Sequence, residues 1–521
     1  MTDASNGTTP AGSAPPTQRG VQTRVILIRG IAVLACTLAL LCVWLTPHRY
    51  PKFPIDAYYY MEMARNVAAG RGPIVRFEQG VPNKFFVGYP LALALPSLFA
   101  PPHVVWQGLH SVYLFLLLFL IPLAVRSIGG SEEVAWATCA LTLGSSVFLK
   151  WASLPYAELQ ATLLCVGMVP ALVWAMREPS RALRWLLAGI VAGFAILTRP
   201  TAAWWVLFAA TATLTYPRAM APHSRIRQFL WFVVPAVLLP SLYLGWRGIA
   251  GTHPLPYAAE LLARPSEESP ITRFLGSLMQ FYGLRQVDPP GALLNAGLVV
   301  LQIFQFTSWL LGGRGYLGKS AAVATDGVVG FLVLHSFWQY SSERFNLLAL
   351  PPTAFLLARW LEWWCDSERT VDKTTAGRAG AFLVLVSAIC LTQWLYTPVV
   401  LEDHIRALRE NTGRPRELAE LANTNPRTAW IEIRPEFAYY FQGRTIFDRD
   451  EPFFYRRLPE AEKLFAQREV AWVVTNKTEE DSLRAHPGAA ASGVRLYREA
   501  DDGVWTLYRV EYRQPPLVPQ K

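Results

Sequence analysis

Apolar runs of roughly 17 to 25 residues recur down most of this chain, each long enough to cross about 30 Å of hydrocarbon as a helix. The first, "VILIRGIAVLACTLALLCVWL" from Val25 to Leu45, sets the pattern. Composition agrees with it. Of 521 residues, 52% are hydrophobic and only 17% charged, a balance that a soluble chain of this length rarely shows. The chain reads as an α-helical polytopic membrane protein.

Arg19, Arg24 and Arg29 precede or enter the first run, as they would in a secretory signal. The run is longer than a usual signal core, however, and no small-x-small cleavage site follows it, so it reads as a retained anchor. Residues 1 to 20, rich in Ser, Thr, Pro, Gly and Ala, read as a disordered tail. About eleven spans follow, near 25–46, 104–126, 132–149, 155–176, 183–198, 200–216, 228–246, 291–312, 320–338, 344–364 and 379–398.

Basic residues mark the cytoplasmic loops of a membrane protein. One alternate set of loops carries Arg126, then Arg177, Arg181 and Arg184, then Arg218, Arg225 and Arg227, then Arg314 and Lys319, then Arg359, Lys373 and Arg378. That set, with the N-terminus, is expected on the cytoplasmic side of the inner (plasma) membrane. An odd span count puts the C-terminus outside. Two long outer loops, about 47–103 and 247–290, are also basic, and long loops translocate regardless of charge. Their cations fit an anionic partner or a solvated surface equally well.

The net charge of +10 is explained by this loop bias, and no basic motif with interleaved aromatics lies outside the spans, so nucleic acid is not an expected partner. The six cysteines, Cys36, Cys42, Cys139, Cys165, Cys365 and Cys390, form no CxxC, and all but Cys365 lie in apolar runs. Neither a disulfide framework nor a zinc site is indicated. From about residue 401 to 521 the composition becomes that of a soluble domain. Strand-like "TAWIEI", "TIF", "VAWVV", "VRLYR" and "VWTLYRV" alternate with helix-like "PEFAYYFQG" and "PEAEKLFAQ", which predicts a small extracytoplasmic α/β domain.

Ionisable residues near hydrocarbon are costly and therefore informative. Almost none falls at mid-span, which argues against an ion-coupled transporter, whose binding groups cluster at the midplane. The charged candidates gather at outer span ends instead. Asp56 stands in "FPIDAYYYMEMARNVAAGRG", Glu158 in "SLPYAELQ", Arg199 in "ILTRPTAAWW", and Glu343 with Arg344 in "SSERFNLLALPP". Each has a plainer reading: Asp56 as an N-cap, Glu158 as a helix-dipole partner, Arg344 as a snorkelling arginine, and Arg199 as a structural residue beside Pro200. Tyr58, Tyr59 and Tyr60 fit an interfacial aromatic belt, with Tyr59, Met63 and Val67 on one face of a helix lying along the membrane surface.

The aspartate after span one with "AYYYMEMARNVAAGRG" and "GYPLALALP", followed by "SLPYAELQATLL", "AGFAILTRPTA" and "SSERFNLLALPP", resembles the polyprenyl-phosphate-sugar-dependent glycosyltransferases of the GT-C class. It is most similar to the bacterial protein O-mannosyltransferase and lipid A aminoarabinose transferase group. The resemblance implies a polyprenyl-phosphate sugar donor, a lipid, glycan or protein acceptor, and a site among membrane lipids. It makes Asp56 the catalytic acidic residue, Glu158 the second acid, and Arg344 the holder of the lipid-linked phosphate; transfer from a lipid phosphate needs a base, and Asp56 is expected to be that base in a single, inverting displacement. Tyr59, Glu343 and Arg199 complete the expected substrate-binding set, with Lys84 as a displaced equivalent of the aminoarabinose transferases' first-loop lysine. The chain departs from those transferases: "NKFFVGYPL" stands where they have Glu-Lys-Pro-Pro, and "GTHPLPYAAE" keeps only part of a second-loop motif of some relatives. A divalent metal, if used, has Glu78 and His253 as candidate ligands. A flippase of lipid-linked sugars and a non-catalytic glycolipid-binding assembly protein are the alternatives.

Overall fold

The computed structural model describes residues 16–49, 53–75, 85–215, 222–250, 324, 327–328, 330–331, 343–367, 375–410, 414–431, 435–447, 467, 469–476 and 493–512. The expected span at 291–312 lies outside these residues, as does most of the one at 320–338.

The apolar runs form helices α1 (Pro16–Arg49), α4 (Pro102–Ser127), α7 (Glu158–Arg177), α8 (Ala182–Thr198), α9 (Ala202–Thr215) and α10 (Pro222–Ile249). Between α1 and α4 lie two shorter helices, α2 (Ile55–Ala68) and α3 (Gly88–Ser97). Within the described residues, four helices are long and apolar enough to cross a membrane: Gln22–Thr46, Pro102–Ser127, Glu158–Arg177 and His223–Ile249. The first apolar run packs into this bundle. Its Arg24 pairs at 3.2 Å with Glu133, and its Arg29 pairs with Glu132; both acids open α5 (Glu132–Leu143).

Two expected spans are not single helices. The run at 132–149 breaks into α5 and a short α6 (Ser146–Ala152) at Gly144, where a Cβ would lie 2.9 Å from the Trp394 indole nitrogen. The run at 344–364 winds as a 3-10 turn (Glu343–Ala349) before α11 (Leu350–Ser367). Pro351 and Pro352 explain that join: prolines fit the first turn of a helix, but they cannot donate back to the preceding carbonyls. The preceding residues take the tighter winding. A long helix, α12 (Thr375–Glu410), follows.

Helices α8 and α10 approach closely through Gly189 and Gly193, the small-xxx-small spacing of membrane helix pairs. A Cβ on Gly189 would meet the Phe232 carbonyl oxygen at 2.2 Å.

A five-stranded sheet closes the chain in the order β2-β1-β3-β5-β4: β1 (Thr428–Ile431), β2 (Arg444–Phe447), β3 (Val470–Thr475), β4 (Val494–Asp501) and β5 (Thr506–Tyr512). Strands β2, β1 and β3 are parallel, and β5 and β4 add antiparallel. The strand-like segments of the sequence form these strands, and "PEFAYY" forms a helix; "PEAEKLFAQ" lies almost wholly outside the described residues. Helices α13 (Pro415–Ala422) and α14 (Pro435–Tyr440) belong to the same region. Their Leu418, Phe437 and Tyr439, with Trp472 and Leu507 of the sheet, join one continuous apolar core with the helix bundle.

Candidate active site

Four charged side chains from distant parts of the sequence meet at one end of the bundle. Asp56 comes from α2, Glu158 from α7, Arg199 from the junction of α8 and α9, and Arg344 from the 3-10 turn.

Local sequence explains each placement. Pro54 is the cap residue of α2, and its side chain makes no capping hydrogen bond, so Asp56 falls in the first turn and is not the N-cap that sequence alone allowed. A carboxylate there faces the positive end of the helix dipole. Glu158 is the first residue of α7 and gains the same benefit. Arg199 has φ −145° and ψ 121°, the extended backbone forced on a residue that precedes proline. This lifts it off the end of α8 toward the start of α7.

The four alternate in sign. Arg199 pairs with Glu158 Oε1, the same oxygen lies 3.5 Å from Arg344 Nε, and Arg344 Nη2 lies 2.6 Å from Asp56 Oδ2. The Arg344 guanidinium also lies over the Tyr156 ring, 4.5 Å from its centroid. Burying a charge is tolerable only beside a partner, and an alternating chain gives each inner charge two. Exposure grades along it. The Glu158 and Arg199 side chains are 1% and 7% exposed, whereas Arg344 and Asp56 are 16% and 23% exposed. Only Asp56 and Arg344 are therefore within reach of a ligand from outside.

A neutral network braces the cluster from beneath. Gln160, two residues after Glu158, donates to the Gly88 carbonyl at 3.2 Å and to Thr198 Oγ1 at 3.1 Å, and accepts from the Tyr113 hydroxyl at 2.9 Å. Gly88 allows this because a Cβ there would lie 2.4 Å from Thr198 Oγ1 and 2.6 Å from the Thr198 nitrogen. The "GYP" of the sequence thus presses α3 against the ends of α7 and α8, next to Arg199.

The three tyrosines of α2 are not in an interfacial belt. Tyr58, Tyr59 and Tyr60 are all buried, against Phe53, Phe85 and Tyr89 respectively. Protein covers α2 on nearly every side, so its Tyr59 and Met63 face packs on protein. Tyr59 packs on Phe85 at 5.4 Å between ring centroids. Two tyrosines act electrostatically on Arg344: Tyr156 foremost, then Tyr60, one helical turn after Asp56. Its i+4 spacing from Asp56 was a readable signal. Tyr156, two residues before Glu158, was missed as well, and so was Lys150, a buried lysine whose ammonium lies 5.0 Å from the Trp151 ring centroid. Trp151 in turn meets Tyr156 edge-on at 5.7 Å.

Glu343 opens the 3-10 turn beside Arg344. Lys84, Glu78 and His253 lie outside the described residues. Among the described residues no three His, Cys, Asp or Glu side chains gather as a metal site.

The helix bundle with a mixed sheet at the site end is similar in fold to solved structures of the group that the order of sequence motifs resembles. The chain is similar in fold to ArnT from Cupriavidus metallidurans bound to undecaprenyl phosphate, with a TM-score of 0.61 and 13% sequence identity, over 92% of this chain and 98% of that one. The apo state of the same ArnT gives 0.60 and 11%, over 94% of this chain and 98% of that one. No family model matches the sequence, and no curated protein matches it. At such identities the likeness is one of fold.

Proposed function

We propose that this chain is a membrane glycosyltransferase that moves a sugar from a polyprenyl-phosphate donor to a hydroxyl of a cell-envelope lipid, glycan or protein, on the extracytoplasmic face, with inversion. The observation that carries this reading is the Asp56–Arg344 pair: a carboxylate and a guanidinium 2.6 Å apart, partly open to ligand, with their charges backed by buried Glu158 and Arg199. The donor class is supported by the lipid phosphate bound to the ArnT of similar fold.

The transfer needs a base where the acceptor loses its proton and a cation where the phosphate leaves. Asp56 takes the hydroxyl proton as the acceptor oxygen bonds to the anomeric carbon. The bond from that carbon to the phosphate oxygen breaks, and the oxygen keeps the electron pair. Arg344 receives the departing phosphate through charge-assisted hydrogen bonds. The anomeric centre inverts in this single displacement.

Glu158 and Arg199 take positioning roles in this scheme, since both lie too deep to meet substrate. Glu158 aims Arg344, and Arg199 balances Glu158 so that the Arg344 charge remains available to Asp56 and the phosphate. Lys84 and any metal ligands enter no step of it.

The test is the lipid and glycan profile of a strain lacking this chain. Loss of one sugar, restored by the wild-type protein and not by Asp56→Asn, is the expected result and identifies donor and acceptor class together. Restoration by Asp56→Asn removes the base and favours a flippase or assembly role.

A further inference from the structure

The helix that carries Asp56 is held from the side opposite the ion pairs by the sheet region. Helix α14 ends in Tyr439 and Tyr440, and both rings pack on Tyr58, two residues after Asp56, with centroids 5.7 and 6.3 Å away. The Tyr58 hydroxyl in turn accepts the Phe53 N–H at 3.2 Å, which fixes the chain where it enters α2. Glu436, the second residue of α14, is buried, and its carboxylate faces that hydroxyl. Burial first, then this carboxylate and Tyr440, push the Tyr58 phenol well above its ordinary range.

The last turn of α2 is held by the same short helix. Arg65 donates to the Tyr439 carbonyl at 3.3 Å, and its guanidinium lies 4.7 Å from the Tyr439 ring centroid. Arg65 also pairs with Glu62, a fully buried acid of α2 that accepts from Asn66 at 3.2 Å. A third anchor reaches α4, where His103 Nδ1 lies 3.3 Å from the Tyr439 hydroxyl. On the far side, the Arg416 guanidinium lies 5.1 Å from the Tyr440 ring centroid. Glu436, Tyr439 and Tyr440 of the sheet region therefore meet the first and last turns of α2, and Tyr439 also reaches the start of α4.

Such a set of contacts does more than fill space. A core needs only apolar area, whereas here buried polar groups of the sheet region are matched to polar groups of α2 in both its first and last turns. Each lone buried partner would be costly, so the register between α14 and α2 is specified. Asp56 lies between Phe53 and Tyr58, the two residues of the first-turn anchor, and Arg344 pulls on it from the other side.

We propose that α14 is a positioning clamp: the sheet region fixes the depth and rotation of α2, and through it the Asp56 carboxylate relative to Arg344. The catalytic part of this statement rests on the role of Asp56 given above. Glu436, Tyr439 and Tyr440 are then positioning residues, distant from any reacting atom. An error of about 1 Å in a catalytic group costs on the order of a hundredfold in rate, so a clamp of this kind governs turnover without touching substrate.

The experiment uses the full chain in lipid nanodiscs, with wild type, Tyr439→Ala, Tyr439→Phe, and the double variant Tyr58→Phe/Glu436→Gln. Hydrogen exchange of the α2 amides should quicken on the order of tenfold in Tyr439→Ala and in the double variant, with the α7 and α8 amides unchanged. Tyr439→Phe keeps the ring and the backbone carbonyl, and should restore most of the protection. Affinity for undecaprenyl phosphate alone should stay within about twofold, because Arg344 is not on α2, while restoration of the missing sugar in the deletion strain falls on the order of tenfold. Unchanged α2 exchange overturns the clamp; so does loosening of α7 and α8 together with α2, or a loosened α2 with full sugar restoration. A wild-type chain that restores no sugar overturns the enzymatic reading instead, and the exchange rates still decide whether α14 holds α2.

Discussion

Arg344 and Asp56, 288 positions apart in sequence, meet at 2.6 Å through Nη2 and Oδ2. Arginine presents donors along more than one edge of a rigid plane, so the same guanidinium turns Nε toward Glu158 while it holds Asp56. This double engagement fixes a cation within reach of a ligand and holds the Asp56 carboxylate against it.

Replacing Asp56 by asparagine keeps the shape and removes the proton acceptor. Transfer should fall by on the order of 10² to 10⁴, the usual worth of a general base. The thermal unfolding temperature in detergent should change little, since Arg344 keeps Glu158 as counter-charge. Activity within twofold of wild type sinks the assignment.

Arg344→Lys tests geometry more than charge. A lysine ammonium is a single point and cannot face Asp56, Glu158 and a phosphate from one plane. Affinity for undecaprenyl phosphate, titrated on the purified chain, should drop on the order of tenfold or more. An unaltered titration curve would exclude Arg344 from phosphate binding.

Glu158→Gln leaves Arg199 buried beside a neutral amide. Breaking one side of a buried pair costs about 3 to 5 kcal/mol, so this variant should be among the least stable single changes at the site. The double variant Glu158→Gln/Arg199→Gln should recover part of the loss, because the uncompensated charge is gone. Equal stability of the single and double variants would show that the two charges are not coupled.

Gly88→Ala inserts a methyl where Thr198 Oγ1 and the Thr198 nitrogen lie 2.4 and 2.6 Å from the new atom. Overpacking of this kind costs about 1 to 3 kcal/mol and should push α3 away from the ends of α7 and α8. Thr198→Ala should relieve only part of it, because the backbone nitrogen remains. Unfolding of both variants in detergent checks the order of stability.

Much of the site could be read before any coordinates. Asp56, Glu158, Arg199 and Arg344 stood out because charges near apolar runs are rare, and each proved to belong to one cluster. What could not be read was rank. Nothing in "SLPYAELQ" or "ILTRPTAAWW" says that Glu158 and Arg199 end deeper than Arg344, since depth depends on which helices cover them. The tyrosines of α2 were misread for the same reason. A Tyr-rich stretch beside a span suits a lipid interface, and only the packing of Phe53, Phe85 and Tyr89 shows that protein occupies that place.

The sequence by itself determined that the chain must build a helical membrane bundle, because its apolar runs leave no cheaper way to satisfy their backbone in lipid. It also determined where several helices break, through local chemistry: Pro54 before α2, Pro200 after Arg199, and Pro351 with Pro352 at α11. Only the tertiary structure decided that residues 56, 158, 199 and 344 share one charged cluster, and that α14 packs on the helix bearing Asp56. Those contacts join segments up to 374 residues apart, and pairing over such separations is set by how whole elements pack and not by any local preference.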